Sequence, residues 1–332
     1  MHCLEQQLLH SWPLQRWSDT ITLIAISGGA DSVALLRALK STSTGSKARL
    51  IAAHFHHELR PNEADEDLAF VVHLCDQLEI PLKIGRKNIA RHAREQGKGV
   101  EEMARDSRYQ FLRSVARQVG ARNVVTAHTR DDQIETVLHR ILRGTGSTGL
   151  SGIPRARMLE EGIGLVRPLL NSTRCNVEDY LQLLNQPFRE DSSNRDIRYT
   201  RNRIRHQLLP LLAQEYNPHV DKALNRLIRL ASEIREITIP LVDRLYETAV
   251  STSTSGIHIS LPSLANQPPY LVRELFVQIW CEANWPRQAY GFEQWDMLAA
   301  NVTDSTSPVE QSLPGGIQIR REGDRLHLTR VS

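Results

Sequence analysis

Residues 21–32 read Ile21-Thr22-Leu23-Ile24-Ala25-Ile26-Ser27-Gly28-Gly29-Ala30-Asp31-Ser32. The first six are apolar or β-branched, the pattern of a short buried strand. Ser27-Gly28-Gly29 ends it, because paired glycines let the backbone turn sharply and approach a ligand without Cβ clashes. Helical spacing then runs through Val33, Ala34, Leu36 and Leu39. A helix starting there aims its free N–H groups and positive dipole end back at the loop. With the Ser27 and Ser32 hydroxyls, residues Ser27, Gly28, Gly29, Ala30, Asp31 and Ser32 compose a cradle for an anion such as pyrophosphate. The competing reading is a plain strand-to-helix turn with Asp31 as N-cap. The segment fits neither the GxxxxGK[ST] loop nor GxGxxG.

Outward from this stretch, strands and helices alternate. Strand character returns at 49–54, 81–84 and 123–127, and helical periodicity at 63–78, 100–119 and 131–143. This order predicts an α/β fold with a parallel sheet covered on both faces. Ligands of such sheets bind beyond the carboxyl ends of the strands, where Ser27–Ser32 and His128 fall. Residues 144–168 are rich in Gly and read as an extended loop region. A helix is expected at 171–185. A long amphipathic helix follows at about 219–250, with Val220, Leu224, Leu227, Ala231 and Ile234 on one face. After it come a strand (256–261), two helices and a hairpin turning at Glu322-Gly323-Asp324. Pro210 and Pro218 mark a boundary between domains 1–215 and 216–332.

The chain's 332 residues suit two domains, and 40% hydrophobic with 24% charged residues is globular composition, which excludes wholesale disorder. No run approaches the roughly 18 apolar residues of a membrane span. The N-terminus does not read as a signal peptide, and Cys3, Cys75, Cys175 and Cys281 form no CxxC pair, so a cytoplasmic location is expected. The net charge of +3 decides nothing about partners, but its distribution does. Residues 82–117 carry ten basic against four acidic side chains, and 195–206 carry five arginines against Asp196. Such stripes suit a phosphate backbone, with solvated faces or intramolecular pairing as the alternative. His54 and His56 alternate on a strand, but no partner cluster has metal-ligand spacing.

On the helix opening at Asp131, Asp132, Glu135 and Thr136 are spaced to share a face. Two carboxylates there could hold Mg²⁺ through oxygen, attract a cationic amine, or merely cap the helix.

Ser27–Ser32 resembles the SGGxDS loop of the ATP pyrophosphatases. Three further segments resemble tRNA(Ile)-lysidine synthetases. His54-Phe55-His56-His57-Glu58-Leu59-Arg60 is similar to HxxHxLR. Residues 126–152 (TAHTRDDQIETVLHRILRGTGSTGLSG) are similar to AHxxDDQxETxLxRLxRGxGxxGLxG, with Thr129 where members often have His and His139 where Met is common. Arg167-Pro168-Leu169-Leu170, Glu190-Asp191-Ser192-Ser193-Asn194 and Arg201-Asn202-Arg203-Ile204-Arg205 follow in the family's order. Glu102, Ala104-Arg105 and Arg108-Tyr109 fit ExARxxRY. The resemblance covers about residues 21–210.

It implies an adenine nucleotide alpha hydrolase-like (Rossmann-like) N-terminal ATP pyrophosphatase catalytic domain and a smaller, mainly helical α+β C-terminal domain that binds tRNA as an accessory. It implies ATP and Mg²⁺ as cofactors, with Ser27–Ser32 and His128 on ATP, Asp31 and Asp132 on Mg²⁺, and Glu135 on the ammonium of free lysine. Asp31, Asp132, Glu135 and His128 would be the catalytic set. Arg105, Arg108, Arg195, Arg201, Arg203 and Arg205 would contact tRNA(Ile) with a CAU anticodon. The resemblance allows a homodimer, and makes 144–152 a mobile segment near the active site. Longer members carry a further small β domain, expected to be missing from a chain ending at Ser332. Within the superfamily the rival is a thiolase-type tRNA-modifying enzyme; outside it, a non-enzymatic nucleotide-binding regulator.

Overall fold

A first helix, α1 (Cys3–Ser11), precedes the strand β1 (Ile21–Ala25). The computed structural model describes residues 1–58, 61–190, 196–287, 289–303 and 310–330. They divide into two compact units, Met1–Gly144 with Gly152–Ile228, and Thr145–Ser151 with Arg229–Ser332.

In the first unit, β1 leads through the Ser27–Gly29 turn into α2 (Ala30–Thr42). Then follow β2 (Arg49–His56), α3 (Pro61–Gln77), β3 (Leu82–Arg86), α4 (Ile89–Gln96), α5 (Val100–Val119), β4 (Asn123–Val125) and α6 (Arg130–Leu142). Gly120 ends α5 in the left-handed region at φ 69°, where lack of a Cβ removes the usual strain. A short helix, α7 (Ser147–Leu150), falls in the second unit. β5 (Ala156–Glu160), β6 (Ile163–Val166), α8 (Arg174–Leu183), α9 (Thr200–Arg203), a π-helical turn (Ile204–Leu208) and α10 (Leu209–Glu215) complete the first unit up to the start of α11 (Val220–Ala249).

The sheet order is β3-β2-β1-β4-β6-β5. The first five strands run parallel, and β5 is an antiparallel edge. Side chains alternate between two cores, as a pleated strand requires. Leu23, Ala53, Val124 and Leu165 pack toward Tyr109, Leu112 and Val115 of α5. Ile24, Ala52, Val125 and Val166 pack toward α1, α2 and α8. Strand order reverses between β1 and β4, so their carboxyl ends open a crevice, the place where doubly wound sheets bind ligands.

The expected parallel α/β sheet is observed. The reading of 144–168 as loop is corrected: it contains α7 and the β5–β6 hairpin. Its glycines are turn residues, not the sign of an unstructured segment. Gly162 supplies φ 73° in the two-residue link between the strands, as tight hairpins require.

In the second unit, β7 (Val250–Ser253), β8 (Gly256–Ser260), α12 (Pro269–Glu282), α13 (Phe292–Thr303), β9 (Glu310–Leu313), β10 (Ile317–Glu322) and β11 (Arg325–Arg330) follow the C-terminal part of α11. The strands form an antiparallel sheet ordered β7-β8-β11-β10-β9. Leu275, Phe276, Ile279 and Trp280 of α12 fill its core together with Ile259, Ile319 and Leu328. The hairpin turn lies where the sequence places it, with Glu322 paired to Arg325. The buried stripe of α11 departs from the expected one at two positions. Ala231 is buried and Val220 and Leu224 are half-buried, together with buried Ile228, Thr238, Val242 and Leu245, whereas Leu227 and Ile234 are exposed. Apolar residues flank the stripe on both sides here, and packing selects among them.

Among the described residues, no helix is long and apolar enough to cross a membrane.

Candidate active site

The loop after β1 is held by its own hydroxyls. Ser32 Oγ donates to the Gly29 carbonyl at 2.9 Å and accepts from the Ser27 N–H at 3.2 Å, while the two serine hydroxyls lie 3.1 Å apart. Gly28 has φ 96°, strained for any residue with a Cβ. Its carbonyl accepts from the Arg189 N–H at 2.9 Å. The Arg189 side chain is tied to Glu66 and Asp67 of α3. The N-cap of α2 is Gly29, not Asp31, and no side chain caps it. The first-turn amides therefore face the crevice without a side-chain partner, which leaves them available to an anion.

Asp31 stands in the first turn of α2, and its Oδ1 is buried without a hydrogen-bond partner. Burial, followed by the negative charge of Asp132, pushes its carboxyl up to about 7. A buried, unsatisfied carboxylate oxygen beside a second carboxylate is costly unless a proton or a cation joins them. An all-oxygen donor set fits Mg²⁺.

Asp132 arrives from α6. Its Oδ2 accepts from the Thr129 N–H at 2.8 Å and the Thr129 hydroxyl at 3.2 Å, so it caps its own helix. Its Oδ1 accepts from Arg201 Nη2 at 2.6 Å. One turn on, Glu135 is 1% exposed, and both its oxygens are taken: Arg201 Nε lies 2.7 Å from Oε2, and Arg205 Nε binds Oε1. The expected acidic face of α6 thus exists, but it is neutralised by two arginines from α9 and the π-helical turn. Arg201 and Arg205 of the basic stripe thus pair with the Asp132 and Glu135 carboxylates in this structure.

The rest of that stripe is also engaged. Arg198 pairs with Asp196, and Arg203 donates to the carbonyls of Ile197 and Arg198. Arg195, like Leu59, Arg60 and Asp191–Asn194, lies outside the described residues.

His128 follows β4. Burial in first place holds its imidazole far below the usual histidine value, at about 3, so the ring is neutral. Its Nδ1 lies 3.0 Å from Thr126 Oγ1. His54 is committed elsewhere: its Nδ1–H donates to the Ile26 carbonyl at 3.0 Å, fixing the end of β1.

On the α5 side, Arg105, Arg108 and Arg157 place guanidinium carbons 5.6, 5.6 and 5.3 Å from the centre of the Tyr109 ring. Arg167 is 2% exposed. The Nε atoms of Arg108 and Arg167 are buried without hydrogen-bond partners. Burial alone would raise the Tyr109 phenol, but Arg167, Arg108 and Arg105 outweigh it and hold it below its usual value. Like charges crowded this way attract an anion.

Comparison with known proteins decides the family. Residues 4–212 match a PP-loop domain family. The chain is 34% identical to a tRNA(Ile)-lysidine synthase of Rhodopirellula baltica, over 98% of the chain and 95% of that protein. The chain belongs to the tRNA(Ile)-lysidine synthase family. It is 38% identical to the Porphyromonas gingivalis enzyme of the same name, over 74% of the chain but only 52% of that longer protein. Among solved structures, a U34-tRNA thiolase from Methanococcus maripaludis superposes with a TM-score of 0.54 at 13% identity, over 68% of this chain and 78% of that one. At that identity the likeness concerns the fold alone. Membership of a PP-loop family implies use of ATP.

Several residues that organise the site in this family member carry no local chemical signature. Gln133 on α6 clamps the backbone of Ile153, donating to its carbonyl at 2.9 Å and accepting from its N–H at 2.5 Å. Arg140 donates to the Gly152 carbonyl at 2.8 Å. A Cβ at Gly152 would come within 2.2 Å of Gln133 Oε1, so the glycine is needed for close approach. Asp131 accepts from the Arg174 N–H at 2.9 Å, joining the starts of α6 and α8. Spacing within the 126–152 block is the signal that could have found Gln133 and Arg140. Nothing in the sequence points to Arg189.

Proposed function

We propose that the chain ligates free lysine to carbon 2 of the wobble cytidine in the CAU anticodon of tRNA(Ile), consuming ATP and releasing AMP and pyrophosphate. Family membership supports this reading, and the crevice supplies the chemistry. The observation that carries it is the pairing of an open α2 N-terminus with the orphaned Asp31 oxygen opposite Asp132. One element receives phosphate and the other calls for a cation.

In the first step the cytidine 2-carbonyl oxygen attacks the α-phosphorus of ATP, and the bond to the bridging oxygen of pyrophosphate breaks. Ser27–Ser32 hold the departing pyrophosphate through backbone amides and hydroxyls. Asp31 and Asp132 would hold Mg²⁺, which supplies charge neutralisation at the phosphates when bound. His128 acts as a neutral donor: in the tautomer that takes a hydrogen bond from Thr126 at Nδ1, the ring proton sits on Nε2 and can reach a phosphate oxygen. In the second step the lysine ε-amine, as the free base, attacks carbon 2, and the carbon–oxygen bond to AMP breaks. Glu135 attracts the lysine ammonium beforehand. Because Arg201 and Arg205 already occupy Glu135, lysine must displace at least one of them. Arg105 and Arg108 hold tRNA phosphate beside Tyr109. The lysidine product pairs with AUA instead of AUG, turning a methionine anticodon into an isoleucine one.

Pyrophosphate release measured with ATP, lysine and unmodified CAU tRNA tests the reaction, with mass spectrometry of the tRNA as its product readout. Release that depends on both lysine and tRNA, with a product heavier by lysine less water, is expected. Release indifferent to lysine, or sulfur in the product, overturns it in favour of a thiolase-type enzyme. Nucleotide binding without turnover would mark a regulator.

A further inference from the structure

The second unit contains a cavity that the lysine-ligating chemistry does not use. It measures about 720 Å³ and is bordered by Trp280, Trp285, Tyr290, Trp295, Arg287 and Arg330 among others. Trp280 is the fully buried hub. Trp285 and Trp295 stand almost perpendicular to it, at 5.0 and 5.5 Å between ring centres, and Tyr290 lies 4.8 Å from Trp295. Trp285 and Trp295 are only half-buried. Three of the chain's five tryptophans therefore meet at one cavity in a chain that is 5% aromatic. The first unit also uses indoles in its core, but Trp12 and Trp17 there are buried, whereas Trp285 and Trp295 keep part of their surface exposed.

The rim decides the ligand class. Among the described residues, Arg287 and Arg330 line the cavity, no carboxylate does, and neither arginine has a salt bridge. Arg287 Nη1 instead lies 2.7 Å from Cys281 Sγ. Flat aromatic surface beside guanidinium groups matches a ligand with a planar π-face and a negative charge. A nucleotide has both: the base stacks on an indole, and the phosphate takes the guanidinium fork. The same arginines disfavour a cationic ligand, and among the described residues no acidic side chain in the lining offers one a counter-charge.

We propose that this cavity binds a single unpaired nucleotide, base against the Trp285–Trp295 surface and phosphate against Arg287 and Arg330. The source is either an unstacked nucleotide of the RNA substrate, which rests on the function proposed above, or a free nucleotide such as AMP.

The test uses the full chain and its tryptophan fluorescence. AMP and a short single-stranded oligonucleotide are titrated separately into wild type, Trp285→Leu, Trp295→Leu and the double variant Arg287→Gln/Arg330→Gln. Circular dichroism and thermal melting check that each variant folds. Saturable quenching in wild type is expected, weakened about tenfold or more in the folded variants, the loss anticipated when one stacked base or charged contact goes. In lysine-dependent turnover, the folded variants should keep kcat. A raised KM for tRNA identifies the RNA as the source, whereas an unchanged KM with AMP quenching lost identifies the free nucleotide. No saturable quenching with either probe overturns the proposal, as does quenching that survives in every folded variant. If wild type shows no lysine-dependent turnover, the proposed reaction fails while the titrations still judge the cavity.

Discussion

Two helices begin at the same crevice, and they are finished in opposite ways. The start of α2 has no side-chain cap, and Asp31 within it has a buried oxygen with no partner. The start of α6 is fully occupied: Asp132 caps Thr129, Asp131 accepts from the start of α8, and Arg201 and Arg205 cover Asp132 and Glu135. The α2 terminus keeps its first-turn amides free of a side-chain cap; α6 stores its charge in internal ion pairs. Binding at α2 therefore fills a gap, whereas binding at α6 is an exchange. On the proposed reaction, that difference separates adenylation, which needs ATP and the tRNA, from the step in which lysine must move side chains.

The sharpest way to break the comparison is Asp132→Asn. It removes a charge from both termini at once, and pyrophosphate release should fall by about 100-fold or more, in line with losing a transition-state charge contact. tRNA affinity should stay within about threefold, a factor worth well under 1 kcal/mol. Loss of tRNA binding by a folded variant would contradict the role given to Asp132. Next, Arg205→Met leaves a buried carboxylate half-compensated. It should cost about 3 kcal/mol of stability in urea unfolding. Arg201→Met should cost less, because that side chain is 49% exposed and water screens it. Equal losses would mean that α6 is not neutralised as an internal pair.

A third experiment addresses α2. The Asp31 carboxyl is raised to about 7 when folded, so the folded state holds a proton that the unfolded chain releases. Its contribution to stability is present below the unfolded value and disappears as pH rises through about 7. Without Mg²⁺, Asp31→Asn should therefore gain on wild type between pH 5 and pH 8, by roughly 2–3 kcal/mol. Added Mg²⁺ should shrink the gap by favouring the ionised wild type. A difference flat with pH would show that Asp31 is not held protonated. The smallest effect is expected from Thr126→Val. It removes the hydroxyl beside His128 Nδ1 and should cost about 1 kcal/mol in apparent ATP affinity, the ordinary worth of one hydrogen bond. An unchanged affinity would leave His128 without a role at the phosphate.

The strand–loop–helix unit at 21–42 was legible because local pattern and tertiary position agree. A buried strand, a glycine turn and an amphipathic helix are all encoded within a few residues of one another. The same holds for α5, which Gly120 ends, and for the Glu322–Arg325 turn. The β5–β6 hairpin was not legible, since Gly162 reads equally well as loop or turn. The buried stripe of α11 was ambiguous because a helix carrying apolar residues on two sides leaves the choice to its neighbours.

By itself, the sequence determined the parallel α/β plan, the strand–turn–helix unit around Ser27–Ser32 and the shared face of Asp132 and Glu135, because each depends on local spacing along the chain. Tertiary structure decided what those groups meet. Arg201 and Arg205 reach Glu135 across 66 and 70 residues of chain, and what reads in sequence as part of a basic stripe closes over an acidic site. The orphaned Asp31 oxygen and the convergence of Trp280, Trp285 and Trp295 on one cavity are likewise invisible along the chain. Burial, charge pairing and cavity shape belong to the packed molecule, and periodicity carries no record of which distant side chain fills a remaining valence.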